Sequence, residues 1–195
     1  MNSLLVLLTG AALLGGGVNL RSGENPMHEV HGRTANNAQR IDLKTMVNAS
    51  LKDVWHAWTT NEGAQTFFAR NSNVRLEIGG PFELFFSPDN PKGERGAEGC
   101  HILSYLPMEM ISFSWSAPPQ FAHARRHRTW VVIRFEQLGP KQTRVKLTHL
   151  GWDEMKTAHP EHIEEWEQVH RYFTEAWPSV LEHLKQRFDK GPRWE

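Results

Sequence analysis

Between Pro160 and Phe188 the chain reads PEHIEEWEQVHRYFTEAWPSVLEHLKQRF. Its apolar residues are Ile163, Trp166, Val169, Phe173, Trp177, Val180, Leu181, Leu184 and Phe188, recurring every three or four positions. That recurrence is one face of an α-helix. The other face carries Glu164, Glu165, Glu167, Arg171, Glu175, Glu182, Lys185 and Gln186, as a solvated side requires. Pro160 suits a first helical turn, where its missing N–H costs nothing. Lys185, Arg187 and Lys190 complement the negative pole, and Gly191-Pro192 ends the helix. A helix with so long an apolar stripe must be covered by a broad apolar surface. A curved antiparallel sheet is the partner the rest of the chain can supply.

Upstream, the period changes from helix to strand. Ile41, Leu43 and Thr45 alternate with Asp42, Lys44 and Met46, a first strand. Ser50 lies three residues before Asp53, a capping arrangement for a short helix through Trp58. Thr59-Thr60-Asn61 breaks it, and Glu62 to Ala69 makes a second short helix with Phe67 and Phe68 inward. Alternation then sets in over Val74, Leu76 and Ile78, over Phe82, Leu84 and Phe86, and over 97–105 and 110–116. It continues over 128–138 and 143–150, which pair around Gly139-Pro140. Gly79-Gly80-Pro81, the segment 87–96 and Pro118-Pro119 supply the turns. Val131, Ile133 and Phe135 share one parity, as do Val145, Leu147 and His149, whereas Trp130 falls on the outer face. The expected class is α+β: a first strand, about six further antiparallel strands, and the C-terminal helix against the covered face of the sheet. Two short helices follow strand 1. Residues 40–190 form one domain.

The 195 residues hold 22 basic and 22 acidic side chains, a neutral balance that argues against a nucleic-acid partner. Arg125-Arg126-His127-Arg128 is the one basic run and reads as a solvated loop. A single cysteine, Cys100, excludes internal disulfides and paired-cysteine zinc sites. Residues 3–20 are apolar and uncharged, so 1–20 read as a secretory signal or anchor, with 21–39 a flexible linker. No basic residue precedes the segment, no A-x-A site follows it, and Gly15 to Gly17 weaken a spanning helix. Export to the cell envelope, or membrane association through residues 4–20, is one expectation. A start at Met27, leaving a cytoplasmic protein, is the other.

The ordered set of motifs resembles the START-like, or SRPBCC, superfamily, and within it the branch of the activator of the heat-shock-protein-90 ATPase. VNASLKDVWHAWTTNEGAQTFF (47–68) is similar to the family's strand-to-helix opening, and Gly79-Gly80-Pro81-Phe82 to its glycine turn. Ile111, Phe113 and Trp115 match its central strand, and the segment Thr143 to Trp152 its last strand. Trp177, Val180, Leu181 and Leu184 match its closing helix. The resemblance implies the helix-grip (START-like) fold, a curved seven-stranded sheet wrapped around the final helix and enclosing a cavity, in which members often bind lipids, sterols, polyketides or other apolar molecules. Some relatives are cyclases or hydrolases. No catalytic residue is common to the superfamily, so none is carried over.

Eight tryptophans and ten phenylalanines point either to a bulky core or to an aromatic-lined pocket. The candidate ligand-binding set is Phe82, Phe113, Trp115, His149, Trp152, Trp166, His170, Phe173 and Trp177. His149 has inward strand parity, and His170 lies beside Trp166 and Phe173 on the helix. They are either a polar pair orienting a ligand or exchanging protons, or two hydrogen-bonded core histidines. His159 and His162, near Glu161 and Glu165, have helical metal-ligand separations but match no zinc signature and read as solvated residues at a helix start. No metal is expected. Pro178, inside the helix, should free the carbonyl of Thr174. The sequon Asn48-Ala49-Ser50 reads as a cap. Phosphate-loop, dinucleotide and nucleophile-elbow motifs are lacking, and no cofactor is demanded. The expected function is binding of an apolar or aromatic small molecule between sheet and helix. The alternatives are a cyclase- or hydrolase-type enzyme using that cavity, or a co-chaperone-like protein-interaction module.

Overall fold

The computed structural model describes residues 38–194. The expected signal or anchor (1–20) lies outside them, as does the expected linker up to residue 37. At the linker's end Gln39 is tied down: its N–H donates to Asp153 Oδ2 (2.9 Å), and its side chain meets Lys156 and Glu167. Among the described residues no helix is long and apolar enough to cross a membrane.

Among the described residues seven strands form, antiparallel throughout, as the alternation predicts. They are β1 (Ile41–Val47), β2 (Asn71–Val74), β3 (Phe82–Phe85), β4 (Ile102–Leu106), β5 (Met110–Trp115), β6 (Thr129–Gly139) and β7 (Gln142–Leu150). They divide five and two: one sheet in the order β1-β7-β6-β5-β4, and the pair β2-β3. Single bridges, Pro81 to His101 and Phe85 to Gly96, join the pair to the segment around β4. The division follows from the glycines of the 79–99 stretch. Gly79, Gly93, Gly96 and Gly99 all have positive φ, so regular pairing stops there. The strand read through Ile78 accordingly ends at Val74, and Ile78 is exposed.

Helices α1 (Leu51–Thr59) and α2 (Asn61–Gln65) follow β1. Ser50 caps the first by accepting from Asp53 N–H (3.2 Å), and Thr60 caps the second by accepting from Gly63 N–H (3.0 Å). After β7, Gly151 at φ 102° turns the chain into α3 (Trp152–Ala158). A Cβ there would come within 2.9 Å of the Trp130 ring, so a side chain at 151 would displace the indole covering the outer face.

The long helix α4 spans Ile163–Lys190 and stays continuous through Pro178. It begins three residues later than its spacing predicts, because Pro160–His162 make a separate 3₁₀ turn. Ile163 therefore sits at the helix mouth and is exposed, unlike the remainder of the stripe. Trp166, Val169, Phe173, Trp177, Leu181 and Leu184 are buried against the sheet. The facing residues have the expected parity: Val131 pairs with His149, Ile133 with Leu147 and Phe135 with Val145. Apart from Phe135, all of these are fully buried.

Candidate functional site

The space between sheet and α4 is filled by rings rather than left open. Phe82 and Phe113 stack face to face at 3.9 Å, leaving no room between β3 and β5. Trp115 meets Trp177 at 5.0 Å and Phe68 at 5.8 Å, and Phe68 packs on Phe67 and Trp58. Large flat side chains tile one another in edge-on and offset contacts, so their number does not by itself demand a void.

The cavity lies at one end of this core. About 510 Å³ opens where α4 meets the end of β5, the 86–97 loop and the loop after β5. Trp115, Phe173, Tyr172 and Phe86 form its apolar wall, and Ser116, Gln120, Asn90 and Arg125 its polar rim. A recess of about 150 Å³ shares the four aromatic residues and runs on between Phe68, Ala176, Trp177 and Val180. The main space falls within the size range of small-molecule sites. Trp115 Nε1 is buried behind this wall without a hydrogen-bond partner among the described residues, and the Ser116 side chain lies against the Cys100 thiol.

Of the nine positions singled out in the sequence, Trp115, Phe173 and Trp177 border this space. Phe82, Phe113, His149, Trp152, Trp166 and His170 do not; they are core or lie behind it. His149 illustrates why. Its Nδ1 accepts from Trp177 Nε1 (2.9 Å), so Nε2 carries the proton and donates to Thr129 Oγ1 (2.7 Å). The Thr129 hydroxyl then donates to the Trp115 carbonyl (3.3 Å). Complete burial, with the nearby His170 adding to it, holds the His149 pKa well below its usual value. Both ring nitrogens are committed and the ring stays neutral. His170 stands edge-on to Trp152 at 5.0 Å, its pKa also lowered by burial, and its buried Nε2 lacks a partner among the described residues. The expected acid–base pair is thus absent from the cavity wall.

The loop between β5 and β6 is the part sequence reasoning misread. Arg125 is not solvated. Its guanidinium donates to the carbonyls of Gly93 (2.7 Å from Nε), Gly96 (2.9 Å) and Ala117 (2.5 Å). Glu165, expected at the surface, accepts from the backbone N–H of both His123 and Ala124 at 3.0 Å. The 118–128 loop is therefore pinned to the start of α4. That pinning carries His123 and His127 onto His159 and His162, which are not free helix-start residues: His123 stacks on His162 at 3.5 Å, and His127 packs on His159 at 3.9 Å. The only sequence signal was the i,i+4 pair His123 and His127 beside the 159–162 run, and nothing local indicated that the two would meet.

The sequence matches no curated protein. Among solved structures it is similar to MLL2253 from Mesorhizobium loti, at 15% identity and a TM-score of 0.57, covering 78% of this chain and 98% of that one. It is also similar to SSP2350 from Staphylococcus saprophyticus (21% identity, TM-score 0.56, 79% and 94% covered). A third is the Aha1 dimer from Colwellia psychrerythraea (17%, TM-score 0.51, 78% and 98% covered). These likenesses share the helix-grip architecture. The family model described as Activator of Hsp90 ATPase homolog 1-like protein matches residues 48–189, from the end of β1 to the last turn of α4. The chain therefore belongs to the Activator of Hsp90 ATPase homolog 1-like protein family, within the SRPBCC superfamily.

Proposed function

We propose that the protein binds a small molecule with an apolar or aromatic body and at least one hydrogen-bond acceptor, in the cavity at the α4–β5 end of the domain. The observation that carries this reading is the aromatic wall of Trp115, Phe173, Tyr172 and Phe86 around a space of about 510 Å³, with Asn90, Gln120 and Arg125 on its rim to meet a polar group. The recess lined by Phe68, Phe173 and Trp177 takes the apolar part.

The test is titration of intrinsic tryptophan fluorescence with a panel of fatty acids, sterols and polycyclic aromatic ketones. A saturable change for at least one class is expected. Tyr172→Ala removes an exposed ring of the wall, so it should weaken binding by about fivefold to tenfold. A panel that leaves both fluorescence and melting temperature unmoved would end the proposal. Cyclase- or hydrolase-type turnover is the weaker reading, because among the described residues no histidine borders the cavity and Glu94 and Tyr172 are the acid–base candidates there.

A further inference from the structure

We infer that His123, His127, His159 and His162, with Glu161, make a binding site for a divalent transition-metal ion of the zinc class, separate from the aromatic cavity. Two segments far apart in sequence bring these groups together. His123 and His127 flank the 3₁₀ turn Ala124–Arg126, and His159, Glu161 and His162 belong to the turn that opens α4.

The donor atoms of His123, His127 and His159 all lie within 4.8 Å of one another, and so do those of His123, Glu161 and His162. Zinc–nitrogen bonds near 2.1 Å in a tetrahedron place donors about 3.4 Å apart, so small ring rotations close either set. His123 belongs to both. Its Nε2 is buried without a hydrogen-bond partner among the described residues, which a histidine packed for structure alone would not need. Glu161 stands between the two outer rings, its Oε1 at 3.8 Å from His162 Nε2 and 4.0 Å from His159 Nδ1.

The surroundings suit a cation despite the nearby Arg126 and Arg128. The cluster opens on a polar cleft of about 540 Å³ lined by Glu161, Glu164, Glu165, His162 and Gln120, an acidic approach path. Glu165 plays the supporting part through the backbone of His123 and Ala124. Imidazole with one carboxylate selects zinc, cobalt, nickel or copper over magnesium or calcium. Stacked imidazoles that merely fill space are the competing account.

The experiment is calorimetric titration of the metal-stripped full-length protein with Zn²⁺ and Co²⁺, with cobalt absorption reporting geometry. One equivalent should bind tightly, Mg²⁺ should not compete, and cobalt should give the intense visible bands of a low-coordinate nitrogen site. His123→Phe keeps the stacked ring and removes the shared ligand, so affinity should fall by about 100-fold or more. His159→Gln, at a less buried position, should weaken binding while the melting temperature without metal stays unchanged. Binding that survives in both variants, or that is only millimolar in the parent protein, overturns the site.

Discussion

His149 is a histidine used as a hydrogen-bond junction rather than as a proton carrier. The sequence placed it correctly on the inner face of β7, yet parity cannot distinguish a cavity-lining ring from one whose two nitrogens are already taken. Trp177 and Thr129 take them. Replacing His149 with Ala should strand both partners and open a void, costing about 3 kcal/mol or more, readable by chemical denaturation. His149→Gln, which can still accept and donate, should cost less. Neither change removes a group from the cavity wall, so ligand affinity measured on the folded fraction should hold. A large loss of affinity with unchanged stability would contradict the assignment.

At the level of elements, the regular parts were legible and the connections were not. Period-two alternation in β5, β6 and β7 and the three-four spacing of α4 are local consequences of which side chains face the core, so they can be read residue by residue. The cap at Ser50 is equally local, whereas Thr60, read only as a break, turns out to cap α2. The loop from Pro118 to Arg128 obeys no such rule. Its place is fixed by Arg125 reaching carbonyls roughly 30 residues back and by Glu165 reaching amides 42 and 41 residues back. A basic run therefore looked like a solvated loop while two of its residues, Arg125 and His127, were being tied into the fold. The expected behaviour follows: Glu165→Ala should release the His123 and Ala124 amides and raise their hydrogen-exchange rates about tenfold or more, with little change in the amides of β6 and β7. Uniform protection across the loop in that variant would show that other contacts hold it.

For the molecule as a whole, the histidines give stability a direction in pH. His123, His127, His149, His170 and His183 all have lowered pKa values, with burial the largest cause in each. A group neutral in the fold takes up a proton once unfolded, so below about pH 6.5 the unfolded chain binds more protons and stability rises with pH. His149 alone should remove about 1.4 kcal/mol per pH unit on acidification from that point, until its own folded-state pKa is reached. Melting temperature should thus change little from pH 7.5 to 7 and fall increasingly from about pH 6.5 to 5.5, with a shallower fall in His149→Gln. A flat profile across that range would mean these rings are charged or solvated in the fold.

Arg125 has one last effect, on which guests the domain admits. Its positive group borders the cavity, yet four of its five N–H bonds end on main-chain oxygens of Gly93, Gly96 and Ala117, and the neighbouring Arg95 is neutralised by Glu98 at 2.7 Å. A carboxylate entering the pocket would lose its hydration and meet no cation free to answer it. The rim thus discriminates by withholding charge, and an uncharged alcohol or ester should be retained in preference to the free acid of the same carbon skeleton.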